Sequence, residues 1–205
     1  IHIRLWNAVS GEAEALEGQN DFNTPAAFNP QDPSLLIAQT GDSISSYNLY
    51  EGVYTKADKG KYVGHSALAF HPDGDHFLLS NFTGEINFVT ESDQEWEVQD
   101  IQLDSNRVTS LGFSPDGQHF LVATDRDLVP HYNKGVYEER EQPYSGKGFP
   151  AELRRVEGFQ LVRKFGTSAD QAVFSPDGKY VATNEAYSFA IYDAKTGRQV
   201  FLMPK

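Results

Sequence analysis

A hairpin motif that returns along the chain constrains its fold more than any other feature. FHPDGDHFLLS begins at Phe70, FSPDGQHFLVA at Phe113 and FSPDGKYVATN at Phe174, and a degenerate copy, FNPQDPSLLIA, begins at Phe28. Proline presets φ at the second turn position and glycine accepts the positive φ that closes the hairpin, so each motif predicts two antiparallel strands. The predicted turn residues are Pro72, Asp73, Gly74, Pro115, Asp116, Gly117, Pro176, Asp177 and Gly178.

A second periodic feature is a dipeptide, aromatic plus Asn or Asp in four of its five copies, that returns in one register along the chain. The dipeptides in this register are Trp6-Asn7, Tyr47-Asn48, Val89-Thr90, Tyr132-Asn133 and Tyr192-Asp193, spaced 41, 42, 43 and 60 residues apart. A regular period of about 42 residues indicates one structural unit per repeat. The last and longest interval predicts an insertion.

The period, the FSPDG hairpins, the dipeptides and the pair Gly64-His65 together resemble the WD40-type β-propeller repeat. YVTN-type and TolB-like propellers carry the same hairpin. The resemblance implies an all-β fold in which each repeat forms a blade of four antiparallel strands, named a to d from the central channel outward. The sequence departs from the family in its dipeptides, where Trp stands only at Trp6 and Asp only at Asp193.

These observations predict a β-propeller segment of about four four-stranded antiparallel blades plus the outer half of another. The outer half-blade is assigned to residues 1–17 and the blades to about 18–62, 63–103, 104–165 and 166–205, with an insertion at 133–158 between strands c and d of the third blade. Propellers with this repeat length usually hold more blades. We therefore expect the chain to be an excerpt from a longer protein.

Composition excludes several classes of function. The chain has 17 basic and 29 acidic residues and a net charge of −12, which argues against direct nucleic-acid binding because that requires a basic surface. No run of about 18 apolar residues is present, so no membrane span is predicted. The absence of cysteine excludes disulfides and thiolate metal sites. No targeting signal is visible, and a cytoplasmic location is expected.

The stretch HPDGDH, residues 71–76, has the residue types of a metal site, with two histidines and two carboxylates. His71 occupies the position of Ser114 and Ser175 in the sister motifs, which lack a comparable ligand set. Side chains that leave a tight hairpin in different directions are not expected to converge on one ion. The stretch is therefore predicted to be a turn, and no metal site, cofactor or catalytic residue is predicted in the chain.

The leading functional hypothesis is a non-catalytic scaffold for protein–protein interaction, as the resemblance implies, with other proteins as partners. A long insertion on a repeat scaffold is commonly a binding element. The predicted insertion carries residue types that are enriched at interface hot spots, namely Tyr137, Arg140, Tyr144, Arg154 and Arg155. Two alternatives remain open: a propeller accessory to a hydrolase-type enzyme, which a convergent titratable cluster over the channel mouth would favour, and a propeller subunit of a ribonucleoprotein or translation assembly.

Overall fold

The computed structural model describes most of the chain. The described residues are 4–15, 25–40, 43–59, 65–81, 84–90, 96–101, 103, 107–124, 131–133, 136–138, 148–185 and 188–204. Within them the regular secondary structure is β-strand, apart from one 3-10 turn at Glu157–Phe159. None of these residues belongs to a helix that is long and apolar enough to cross a membrane.

The strands form four four-stranded antiparallel sheets and two short two-stranded ribbons, which confirms the predicted fold class. The first ribbon pairs β1 (Arg4–Trp6) with β2 (Ala13–Ala15). Blade 1 consists of β3 (Ala26–Phe28), β4 (Leu35–Thr40), β5 (Ser43–Asn48) and β6 (Val53–Lys59). Blade 2 consists of β7 (His65–Phe70), β8 (His76–Asn81), β9 (Ile86–Thr90) and β10 (Glu97–Ile101).

Blades 3 and 4 follow the same up-and-down order of strands. Blade 3 consists of β11 (Val108–Phe113), β12 (His119–Thr124), β15 (Ala151–Arg155) and β16 (Leu161–Phe165). The second ribbon, β13 (His131–Asn133) with β14 (Val136–Glu138), lies in the connection between β12 and β15. Blade 4 consists of β17 (Gln171–Phe174), β18 (Tyr180–Glu185), β19 (Ser188–Asp193) and β20 (Gln199–Pro204).

The hydrophobic core lies between the blades. The first strands of successive blades, β3, β7, β11 and β17, are neighbours in that order. Strands β8 and β12 carry the runs FLLS and FLVA, which are buried along their length because a neighbouring blade covers each face. Phe120 from blade 3, for example, packs in one cluster with Leu78 and Ile86 from blade 2. Each blade is thus stabilised mainly by its neighbours.

The dipeptides end the third strand of a blade and cap the turn that follows. Tyr192 is buried, and the Oδ1 atom of Asp193 accepts hydrogen bonds from the backbone N–H of Thr196 (2.7 Å) and from its hydroxyl (2.6 Å). Asn7 and Asn48 cap the corresponding turns by accepting from backbone N–H groups two and three residues later. Short amide and carboxylate side chains favour this geometry.

The predicted layout of blade 3 is wrong in its third strand. β12 pairs with β15, so the residues that align with Tyr192-Asp193 are Arg154-Arg155. Tyr132 and Asn133 lie in the separate ribbon β13–β14 instead. The insertion consequently lies between strands b and c, at about 125–150, and does not extend to 158 between strands c and d.

The error has a simple cause. Tyr132-Asn133 stands 43 residues after Val89-Thr90, one ordinary period, and so occupies the expected position by coincidence. Strand pairing decides the register because a buried sheet face fixes which residues oppose each other. Ala151 and Leu153 of β15 supply buried side chains to that face, and the ribbon lies outside the four-stranded sheet.

Candidate functional site

The a–b hairpins and the c–d turns lie at the same end of the blades because successive strands alternate in direction. We call this end the turn face. Its described segments are residues 7–12, 29–34, 48–53, 71–76, 114–119, 155–161, 175–180 and 193–199. The predicted positive φ of the hairpin glycines is confirmed at Gly74 (83°), Gly117 (69°) and Gly178 (70°).

The aspartates of the hairpins hold the turns and remain charged as a result. Asp177 Oδ1 accepts from the Ser175 hydroxyl at 2.7 Å and from the Lys179 N–H at 3.1 Å, and these bonds lower the pKa of Asp177 to about 2. The Ser114 hydroxyl and the Gln118 N–H lower the pKa of Asp116 in the same way. Donors to a carboxylate favour its ionised form.

Acid is expected to weaken the blade 4 hairpin through Asp177. Because the folded pKa of about 2 is below the ordinary value of 3.8, the stabilisation is complete above about pH 4 and is lost as the pH falls towards 2. The difference in unfolding free energy between the wild type and Asp177→Asn, measured by urea denaturation, should therefore be constant from pH 5 to 8 and fall steadily as the pH drops from about 4 to 2. Ser175→Ala should move that loss to higher pH. A difference that persists unchanged at pH 2 would contradict the assignment.

Side chains at the first hairpin position reach across to the next blade. The Asn29 Nδ2–H of blade 1 donates to the Gly74 carbonyl of blade 2 at 2.8 Å. The His71 Nε2–H of blade 2 donates to the Gly117 carbonyl of blade 3 at 2.9 Å. Ser114 in blade 3 bonds to Asp116 and His119 within its own turn. We call the first two contacts the cross-blade hydrogen bonds.

His71, Asp73 and His76 form a compact cluster on the blade 2 hairpin. Asp73 Oδ2 lies 2.8 Å from His71 Nδ1 and 2.8 Å from His76 Nδ1, and all three atoms lie within 4.8 Å of one another. Asp73 Oδ1 accepts from the Asp75 N–H at 2.9 Å. Burial alone would raise the pKa of Asp73, but hydrogen bonds from the two histidines hold it below its ordinary value.

The expectation that these side chains diverge is therefore wrong. His71 and His76 close the hairpin as a backbone pair, with the His71 N–H donating to the His76 carbonyl at 2.8 Å. Side chains of a closing pair project from the same face of the ribbon. The two rings lie edge to face with centroids 5.7 Å apart. In the sequence, His71 and His76 are five residues apart and flank a four-residue turn. This spacing is the signal from which their proximity can be recognised.

Of the residues assigned to the insertion, Arg154 and Arg155 lie in blade 3 itself. The Arg154 guanidinium donates to Glu152 Oε2 from Nε (2.9 Å) and Nη2 (2.7 Å), and to the Phe159 carbonyl from Nη1 (3.0 Å). Arg154 therefore supports the turn that follows its strand. Tyr137 lies on β14, whereas Arg140 and Tyr144 are outside the described residues. A partner-binding role for these residues stays a prediction.

A cleft of about 570 Å³ opens on the turn face between blades 3 and 4. Leu153, Val162 and Phe174 give it an apolar wall, and Asp116 and Asp177 lie at the two hairpins that border it. Arg163 crosses from blade 3 to blade 4, where its Nη1 donates to the Thr196 carbonyl at 2.8 Å. The cleft lies beside the blade 3 hairpin. Ser114 stands there in place of Asn29 and His71, which make the cross-blade hydrogen bonds of blades 1 and 2, and it bonds within its own turn instead.

Comparisons with known proteins agree with this architecture. Residues 98–129 match the family described as "WD domain, G-beta repeat". These residues resemble a WD40 repeat. The matched stretch of the WD40 repeat runs from strand d of blade 2 through the hairpin of blade 3. WD40 repeats generally provide scaffolds for protein interactions.

Solved structures support the fold and leave the activity open. A chain of Kuenenia stuttgartiensis hydrazine synthase aligns with a TM-score of 0.66 and 19% identity, over 88% of this chain and 48% of that one. This chain thus spans about half the length of that chain. In all, 1259 solved chains match, so the likeness alone selects no single activity. No curated protein sequence matches the chain.

Proposed function

We propose that the chain is a non-catalytic interaction scaffold whose turn face binds a basic segment of a partner protein. The observation that carries the proposal is the charge of this face. In the described turn-face segments, acidic side chains outnumber basic ones. The acidic residues are Glu12, Asp32, Glu51, Asp73, Asp75, Asp116, Glu157, Asp177 and Asp193. The basic residues are Arg155, Lys179, Lys195 and Arg198.

The negative charge is concentrated on the hairpins of blades 1 to 3, where the described segments 29–34, 71–76 and 114–119 contain no Lys or Arg. It is also persistent, because the hydrogen bonds that hold Asp32 and Asp116 in their turns lower the pKa of both carboxyls. A surface of one sign attracts partners of the opposite sign and accelerates their association. A segment rich in Lys and Arg is therefore the complementary partner.

The cleft between blades 3 and 4 supplies the second element of such a surface. Charge steers association, whereas buried apolar anchors contribute most of the affinity of an interface. Leu153, Val162 and Phe174 line a concavity that suits one large apolar side chain. A basic segment that also carries an aromatic or branched residue fits both features.

The enzyme alternative has less support. The feature that would favour it is a convergent titratable cluster over the channel mouth, and His71, Asp73 and His76 do lie together. They belong to blade 2, however, whereas the residues that line the cleft belong to blades 3 and 4. A catalytic group has to contact a bound substrate, so a cluster outside the cleft between blades 3 and 4 favours a role other than catalysis in that cleft. The acidic turn face likewise disfavours direct RNA contact in a ribonucleoprotein.

A charge-neutralised variant tests the proposal. Glu51→Gln, Asp75→Asn and Glu157→Gln together remove three exposed charges from the turn face and leave the capping aspartates in place. Each exposed charge contact contributes about 0.2–1 kcal/mol, so the triple variant should bind a fluorescent Lys-rich peptide with an aromatic anchor roughly tenfold more weakly at 150 mM salt. Fluorescence anisotropy measures the affinity.

The matched control removes the same charge elsewhere. Glu14→Gln, Glu85→Gln and Asp100→Asn change exposed side chains that lie on strands or at the opposite end of the blades, away from the turn face. This triple variant should bind the peptide nearly as the wild type does. Equal weakening by the two triple variants would mean that only net charge matters, and the turn face would then not be the binding surface.

A further inference from the structure

We infer that His71, Asp73 and His76 bind one divalent transition-metal ion at the junction of blades 2 and 3. This inference does not depend on the proposed partner. It rests on the positions of three ligand atoms, on the hydrogen bonds that fix them, and on a sister hairpin that lacks one of the ligands.

The hydrogen bond of His71 to blade 3 turns its Nδ1 atom towards Asp73. A carbonyl oxygen only accepts, so the 2.9 Å contact with the Gly117 carbonyl places the ring hydrogen of His71 on Nε2. A neutral His71 then has a lone pair on Nδ1, towards which the Asp73 N–H points at 3.2 Å. The ionised Asp73 Oδ2, which also carries only lone pairs, lies 2.8 Å from the same nitrogen. A proton on Nδ1 or a metal ion between the two atoms would join them.

A metal ion would join all three ligand atoms at once. His76 Nδ1 lies 2.8 Å from the same carboxylate oxygen, and the three ligand atoms lie within 4.8 Å of one another. Zinc bonds of about 2.0–2.2 Å in a tetrahedron separate ligand atoms by about 3.3 Å. Opening each contact by about half an ångström would admit the ion.

The surroundings of the ligands are those of a preorganised metal site. A histidine that binds a metal through one nitrogen commonly donates the other N–H to a backbone carbonyl, as His71 does to Gly117. Asp73 Oδ1 is held by the Asp75 N–H, which leaves Oδ2 to face the histidines. The His76 ring stacks on Phe88 with centroids 5.1 Å apart, and Phe113 meets the His71 ring edge to face.

The ligand types select the metal. Imidazole nitrogen with a carboxylate oxygen suits Zn²⁺, Ni²⁺ and Cu²⁺, whereas Ca²⁺ and Mg²⁺ prefer a shell of oxygen atoms. Three protein ligands leave a coordination position for solvent. The Asp73 and His76 side chains, 37% and 31% exposed, allow the ion to enter. Because His71 also holds Gly117, the bound ion would tie the hairpins of blades 2 and 3 together.

The blade 3 hairpin is a matched control within the chain. His119 occupies the position of His76, and Asp116 that of Asp73, but Ser114 replaces His71. The Ser114 hydroxyl donates to Asp116 Oδ1 at 2.5 Å and closes the turn without a second nitrogen ligand. His119→Ala removes a histidine from the same structural position and should leave metal binding unchanged.

The experiment is a titration of the full chain, purified without a histidine tag and treated with chelator, with Zn²⁺ and Ni²⁺ by isothermal calorimetry. One equivalent of either ion should bind, and Ca²⁺ and Mg²⁺ should not. Asp73→Asn and His76→Ala should weaken binding by at least about tenfold. His71→Asn should do the same and keep the fold, because Asn29 makes the equivalent cross-blade hydrogen bond in blade 1. Circular dichroism checks the fold of each variant.

Three results would overturn the inference. They are failure of the wild type to bind a stoichiometric ion, binding by folded His71→Asn that matches the wild type, and a loss in His119→Ala as large as that in His76→Ala. X-ray absorption of the zinc-loaded protein gives an independent readout, since two imidazoles and oxygen ligands are expected around the ion.

Discussion

Replacing Phe120 by Ala is expected to lower the free energy of unfolding by about 3–5 kcal/mol, because it removes a fully buried aromatic side chain from a packed core. Phe120 has no exposed surface and lies between blades 2 and 3. Its ring centroid is 6.2 Å from that of Phe113 and 6.3 Å from that of Phe159. The cavity would therefore separate the two blades as well as weaken one of them. Urea denaturation followed by fluorescence measures the change.

Phe189→Ala is the matched control for this substitution. Phe189 lies on β19 of blade 4 and is 36% exposed, so the same change in volume leaves a partly hydrated site and no closed cavity. We expect it to cost less than half as much as Phe120→Ala. If Phe120→Ala and Phe189→Ala lowered the free energy of unfolding by similar amounts, the core between blades 2 and 3 would not be the main source of stability.

Gly117→Ala is expected to be the most destabilising of the turn substitutions. Alanine is strained at a φ of 69°, which costs about 1–2 kcal/mol. In addition, a Cβ at Gly117 would overlap the Nε2 and Cε1 atoms of His71 and disrupt the cross-blade hydrogen bond. Gly52 has a φ of 64° and nothing within 4 Å of the same added atom. Gly52→Ala should therefore show the strain alone, and Gly117→Ala at least about 1 kcal/mol more.

A double-mutant cycle separates the two causes. His71→Ala removes the ring that a Cβ at Gly117 would meet, so the losses of Gly117→Ala and His71→Ala should add to more than the loss of the double variant. Chemical denaturation of the four proteins gives the coupling energy. Strict additivity would mean that the alanine is accommodated without touching His71.

The fold could be predicted from the sequence because its signals are local and repeated. Pro-Asp-Gly between apolar runs specifies a hairpin wherever it occurs, and its repetition along the chain specifies stacked hairpins. The third strand of blade 3 carries no such signal. AELRR, residues 151–155, has the alternation of a strand but lacks the aromatic residue and the cap that mark its sisters, so Tyr132-Asn133 was the better match to the pattern.

The histidine cluster was missed for a different reason. Comparison with the sister motifs identifies HPDGDH as a turn, which is correct, but a turn does not imply that its side chains diverge. A turn and a cluster are compatible, because the closing pair of a hairpin shares one face. The contact between His71 and Gly117 joins residues 46 positions apart. Nothing in the local sequence indicates which carbonyl the ring will meet, since that depends on how the blades are stacked.

The placement of the insertion has a consequence for how such a chain can change over evolutionary time. At the turn face, hairpins of neighbouring blades are fastened to each other, and a lengthened hairpin would displace its neighbour. The connection from Thr124 to Ala151 leaves blade 3 at the opposite end, and it is longer than the b–c connections of the other blades while β12 and β15 keep their pairing. The length of a connection can therefore vary at the end opposite the turn face. At the turn face the hairpins keep their length, and only the identity of their residues can vary. A reporter domain inserted into this connection would leave the turn face undisturbed.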